Sequence, residues 1–387
     1  MTQLAGFADE HAVRRLAALI REWLAQGQSA KAVTGVGILG AMGTEAALWA
    51  VRRIAEETKF KALKKAAADQ IDAIAQRLGL DCEQLADRLV PDFGLDADTP
   101  LVLDYGPRSF TVKFDEQLRP YAVEGSGKRR ANLPKPGAKD DLDLAQPAYE
   151  RYIAMRKELK KVAVEQVRRL ESAMVNGRNW TGDEFQTYMV DHPLLRHLTS
   201  RLVWQADSGS GRTSFRLAED CTLADLEDEP MVLPDEAVVR LAHPATLGNE
   251  VEQWAAVLAD YEILQPFDQL ARPVLALTEE ERLSGRLSRF EGQAVDGGTL
   301  MGLLKRGWQY GDPDPRGIRR SVYFEFPEGG FIAMETEPSF YLSYRPDDNL
   351  TLDHVELAPP NPDHAIDTVR LSEALAAIAR IARTPRT

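Results

Sequence analysis

From His11 to Gln26 the apolar residues Val13, Leu16, Leu19, Ile20, Trp23 and Leu24 recur at spacings of three and four. That period predicts one helix with a single apolar stripe, stopped by Gly27. It continues through roughly Ala30 to Ala41, through "TEAALWAVRRIAEE" with Thr44 as N-cap, and through "KFKALKKAAADQIDAIAQRLG" to Gly79. Four short helices with tight connections form two pairs. Pro91, Gly94 and Pro100 then break the pattern and place a boundary there.

The period next changes to two. "LVLDY" and "SFTVKF" read as a hairpin joined across Gly106-Pro107, with Phe110, Val112 and Phe114 on one face. "EGSGKRRANLPKPGAKDD" has no apolar period and reads as a loop or mobile arm. A long helix is expected from about Pro147 to Val175, with Tyr152, Met155, Leu159, Val162, Leu170 and Met174 near one face and Lys157, Lys160, Lys161 and Arg168 on another. "TGDEFQTYMV", with a Thr181/Glu184 capping box, and "HPLLRHLTSRLVW" read as two more helices. Beyond Leu202 the pattern is mixed. "RLVWQ" and "TSFRL" flank a turn, "AVVRLAH" is a further strand, and "NEVEQWAAVLADYEI" and "TEEERLSGRLSRF" are helices. "RRSVYFEF", "GFIAMET", "SFYLSYR" and "LTLDHVEL" form a meander before the last helix, "VRLSEALAAIARIA". The fold class is therefore α+β. Three regions are expected: a helical domain over 1–95, a hairpin, basic loop and helical linker over 96–200, and an α+β terminal domain over 201–387.

"TGVGILG", at 34–40, spells the G-x-G-x-x-G of a dinucleotide-binding turn. Such a turn needs a buried strand before it, and "GQSAKAVT" is too polar and follows a helix. Gly35, Gly37 and Gly40 instead predict a helix packed closely on its neighbour, with Gly43 ending it; no cofactor is implied.

The chain has 387 residues, a formal net charge of -13 and two cysteines, Cys82 and Cys221. No apolar run is long enough for a membrane helix and no signal-peptide layout is visible, so a cytoplasmic protein with reduced thiols and no membrane partner is expected. The charge is unevenly placed. Between Lys128 and Arg169 twelve Lys and Arg face six Asp and Glu, while Arg216 to Glu262 holds twelve acids and two bases. The two segments are thus candidates to attract each other, or the basic one to hold an acidic partner.

"GILGAMGTEAALWAVRRIAEETKFKALKKAAADQIDAIA" resembles helical repeats of the HEAT type. "LDYGPRSFTVKFDEQLRPY", "LPKPGAKDD", "HPLLRHLTSRLVW", "DYEILQPFDQLARPV", "RFEG" and "LLKRGWQYGDP" together resemble the C-terminal part of bacterial MolR-like proteins, labelled molybdate metabolism regulators. That resemblance implies a terminal domain of unknown function after HEAT-like helices. It carries no catalytic motif.

Chemistry-bearing residues are sparse in pattern. His192 and His197 are five apart, not four, and lie outside any H-E-x-x-H, so no metal is expected. "GSGRTS" is no nucleophile elbow, and "EGSGKRR" lacks the P-loop spacing. Two groups stand out. Lys128, Arg129, Arg130, Lys157, Lys160, Lys161 and Arg168 are candidates for contact with a partner or, with nearby aromatic residues, a nucleic acid. His243, Trp254, Tyr261, Gln265 and Arg272 form a pocket-like mixture. Three functions follow in order: a non-enzymatic module that binds a protein partner, a nucleic-acid-associated regulator using the basic 128–169 segment, and an enzyme with a pocket near His243 and Arg272.

Overall fold

The computed structural model describes residues 2–96, 99–209, 211–312, 319–340, 349–358 and 365–383. These form two compact units, 1–94 and 95–387.

The first unit consists of α1 (Thr2–Ala25), α2 (Ser29–Met42), α3 (Glu45–Glu57), α4 (Lys61–Leu78) and α5 (Cys82–Arg88). Local chemistry sets the ends. Thr44 accepts the Ala47 N–H to cap α3, and Gly43 and Gly79 end α2 and α4 in the left-handed region. Val13, Ile20, Val36, Leu39, Leu48, Val51, Leu63 and Ile74 meet in its core. The glycine seam of α2 is real but differently distributed. A Cβ on Gly35 would lie 2.6 Å from Ile20 Cγ1, and one on Gly40 would overlap the Gln70 side chain, whereas Gly37 faces open space. The reason is the period: Gly35 and Gly40 are on the buried side of α2 and Gly37 is not.

The second unit opens with β1 (Val102–Asp104), β2 (Ser109–Phe114), β3 (Pro120–Glu124) and β4 (Arg129–Arg130), paired in that order. The expected basic arm is therefore a hairpin, closed where Gly127 N donates to Glu124 O, and the chain after it is pinned by buried Leu133 and by Tyr105 Oη donating to Pro134 O. Helix α6 (Leu142–Val175) starts five residues earlier than its proline suggested. Asp141 caps it, and Pro147, in the second turn, costs one backbone hydrogen bond without ending the helix. There follow β5 (Trp180–Thr181) and α7 (Gly182–Phe185), with the Thr181/Glu184 capping box in place and a π turn over Gln186–Val190. The helix expected in "HPLLRHLTSRLVW" shrinks to α8 (Arg196–Thr199).

A six-stranded antiparallel sheet combines β5 with β6 (Trp204–Asp207), β7 (Arg212–Leu217), β8 (Leu223–Ala224), β9 (Pro230–Met231) and β10 (Val238–Leu241), in the order β5-β10-β6-β7-β8-β9. Trp204 and Phe215 point to the face shared with Phe185, all three fully buried, and each meets the Phe185 ring edge-on. Gln205, Ser214, Arg216 and Arg240 occupy the opposite face, as alternation requires. Along the chain come α9 (Pro244–Leu247), α10 (Glu250–Asp260), α11 (Glu279–Ser284), β11 (Ala294–Asp296), α12 (Gly297–Leu303), β12 (Gln309–Tyr310), β13 (Arg319–Glu325), β14 (Phe331–Phe340), β15 (Asn349–Ala358), α13 (Thr368–Ile381) and β16 (Ala382–Arg383). The last sheet, β12-β13-β14-β15-β11-β16, contains the expected meander, with "GFIAMET" and the start of "SFYLSYR" joined in β14 and with β12, β11 and β16 added. Its strand β14 runs on through Phe340, so the rest of "SFYLSYR" lies outside the described residues. Trp308, Val322, Met334, Val355, Leu375 and Ile378 belong to its core. Helices and antiparallel sheets together make the fold α+β.

Candidate functional site

Two polar centres in the second unit draw in the residues singled out from the sequence. The first is closed. His243, 1% exposed, caps α9: its Nδ1 accepts the Ala245 N–H at 3.1 Å, so Nε2 carries the proton and donates to Glu373 Oε1 at 3.2 Å. Arg272 donates through Nη1 to Glu373 Oε2 at 2.7 Å, through Nη2 to Glu171, and through Nε to Asp268 O at 2.9 Å. Burial alone would raise the Glu373 carboxyl pKa, but the His243 hydrogen bond and the Arg272 charge outweigh it and hold the pKa below the usual range. Gln265 joins through Gln269, which is fully buried and works like an extra strand. Gln269 Oε1 accepts from Val203 N and from Gln265, and its Nε2 donates to Val203 O and Ala242 O. Trp254 is core beside it, donating to Ser214 Oγ at 2.8 Å. Both nitrogens of His243 and every donor group of Arg272 are engaged, so this centre ties α9, the 265–275 segment and α13 together. A general base needs a free nitrogen, and His243 has none. His192 likewise accepts the Leu194 and Leu195 N–H groups. Each histidine precedes a proline and caps the turn after it, a local signal already present in "DHP" and "AHP".

The second centre is open. Tyr261 lies apart from His243, on a cleft of about 410 Å³ that is also lined by Arg196, His197, Arg201, Arg216 and Cys221. Its wall is a three-part cluster. Arg216, 3% exposed, donates to Asp228 Oδ1 at 2.7 Å and stacks on the Tyr261 ring at 4.1 Å, while Tyr261 Oη donates to Asp228 Oδ2 at 2.6 Å. The hydrogen bond from Tyr261, then that from Arg216, lowers the Asp228 pKa. His197 is pushed down to about 4 by burial and by the charges of Arg201 and Arg196, so its imidazole is neutral at neutral pH. The sequence offered no signal for this convergence: α8, β7 and the end of α10 are separate elements with no shared motif. Among the described residues, no group of three or more His, Cys, Asp or Glu side chains is gathered to hold a metal ion.

The basic candidates fall on two elements. Lys128, Arg129 and Arg130 lie at the exposed β3–β4 turn, where Arg130 pairs with Glu124 at 2.7 Å and Arg129 stacks on Tyr121 at 3.9 Å. Lys157, Lys160, Lys161 and Arg168 are exposed on α6, Lys161 being 3.5 Å from Glu158. Tyr152 Oη, donating to Pro120 O at 2.8 Å, fixes the buried side of α6 against β3.

Residues 127–308 match a family described as a domain of unknown function, DUF4132. The DUF4132 segment contains α6, the cleft arginines and Tyr261, while Glu373 of the closed centre lies beyond it. The chain is also 37% identical over 316 residues to the "Uncharacterized protein YehI" of Escherichia coli (strain K12), a match covering 80% of this chain and 26% of that relative. The chain thus spans about a quarter of the length of the curated relative it matches. No solved structure matches. Among the described residues, no helix is long and apolar enough to cross a membrane.

Proposed function

We propose that this chain is a non-enzymatic interaction or regulatory module, of the MolR-like kind its sequence resembles, with a HEAT-like helical unit followed in the chain by a DUF4132 segment, and that α6 carries the contact with a protein partner. The observation that supports this is the outer stripe of α6. Ile153, Lys157, Lys160, Val164 and Arg168 follow one another at spacings of four and three, all on the side away from buried Tyr152, Met155 and Leu159. Ile153 is 41% and Val164 59% exposed. Two lysines between aliphatic side chains suit an acidic amphipathic helix, which would pair with the former and cover the latter.

The enzymatic alternative near His243 and Arg272 loses support because its side chains already satisfy one another. The nucleic-acid alternative is weakened by Glu150, Glu158 and Glu165, which share the exposed surface of α6 with the lysines. Affinity capture from the native cell tests the reading, with Ile153→Glu/Val164→Glu as the comparison. A protein that accompanies the wild type and is lost from the equally stable variant supports it. Salt-dependent DNA or RNA binding, abolished by neutralising Lys157, Lys160 and Lys161, would replace it with the nucleic-acid reading.

A further inference from the structure

The cleft holds a cation without a counterpart. Arg201 leaves the short helix α8 and lines the cleft half-buried; among the described residues no side-chain hydrogen bond or ion pair reaches its guanidinium, and Nη1 is buried with no acceptor. Arg216, by contrast, is neutralised by Asp228 and stacked on Tyr261, although its Nε is buried without an acceptor. Placing a guanidinium out of water without a partner is unfavourable, and an anion supplied from outside would offset that cost. Burial indeed lowers the Arg201 pKa, with only the more distant charges of Glu116 and Asp115 opposing it.

The geometry points to a binding site in this cleft for a small monocarboxylate with an apolar body, its carboxylate on Arg201 and its body against Leu217, Ile263 and Leu264. The planar guanidinium presents paired donors that match a carboxylate in two-point fashion. Three glutamates, Glu116, Glu219 and Glu262, also line the cleft, so a single negative charge is favoured over a doubly charged phosphate. The three aliphatic residues supply a surface that a bare inorganic anion would not use. The volume, about 410 Å³, falls within the usual range of small-ligand sites. No α6 residue lines the cleft, so this site stands apart from the partner-binding reading.

Titration of the full chain at low ionic strength with sodium hexanoate, inorganic phosphate and hexylamine tests the site. Hexanoate is expected to bind saturably, with Arg201→Met weakening it at least tenfold and Lys305→Met, outside the cleft, leaving it unchanged. Absence of saturable hexanoate binding, equal binding to Arg201→Met, or preference for phosphate or hexylamine would overturn the proposal. A ligand-free measurement keeps the variant interpretable: Arg201→Met should melt at or above the wild-type temperature, because it removes an unpaired half-buried charge. A fall of more than about 3 °C would mean that Arg201 is held by the fold itself, and would overturn the reading of it as a reserved cation.

Discussion

His197 and His243 are both shielded, the first by burial beside charged neighbours and the second by hydrogen bonds at both ring nitrogens. In the folded chain His197 has a pKa of about 4, against about 6.5 when unfolded. Above pH 6.5 both states are neutral there and the residue adds no pH dependence. Between pH 6.5 and 4 the unfolded chain takes up a proton that the folded chain refuses, so stability falls with pH and levels off below 4. His197→Leu should flatten that part of a urea-midpoint-against-pH curve, and an unchanged slope would contradict the burial assigned to His197. At His243 the imidazole is bound at both nitrogens, and its partner Glu373 also anchors Arg272. Glu373→Ala leaves Arg272 only partly paired and the His243 Nε2–H without an acceptor, so a loss of about 3 kcal/mol in denaturant unfolding is expected. A loss below 1 kcal/mol would show that the network is not cooperative. His192 and His243 were partly legible in sequence, because a His-Pro pair marks a turn start locally. The convergence of Arg201, Arg216 and Tyr261 was not, because it depends on how β7 and α10 pack.

At the scale of elements, what the sequence disclosed followed the range of the interactions. The Thr181/Glu184 capping box forms as read, since it involves residues three apart, and Thr278 and Glu281 make a second at the start of α11. The start of α6 was misplaced because Pro147 looks like a first-turn residue, whereas Asp141 provides the cap further upstream. Helix α2 shows the same limit. Glycine spacing announced a close contact, but only the packed helices reveal that Gly35 meets Ile20 and Gly37 meets nothing. Gly35→Leu should therefore overpack the helical unit and lower its melting temperature. Gly37→Ala, in open helical space, should stabilise it by about 0.5–1 kcal/mol. Equal responses at the two positions would contradict this packing.

For the whole molecule, the α+β class followed from the change of period near Pro100, and the two units each enclose a core of their own. Residues 1–94 and 95–387, produced separately, are each expected to show cooperative thermal unfolding; a molten 95–387 fragment would contradict the division. Function was less legible, since the basic face of α6 can be read from the helical period but the exposure of Ile153 and Val164 within it cannot. The central claim is that this stripe meets a protein, and site-specific photo-crosslinking in the native cell tests it most directly. A photoreactive amino acid at Val164 should yield a discrete protein adduct, while the same group at exposed Lys305 should not. Adducts with nucleic acid alone, or the same adducts from both positions, would contradict the account.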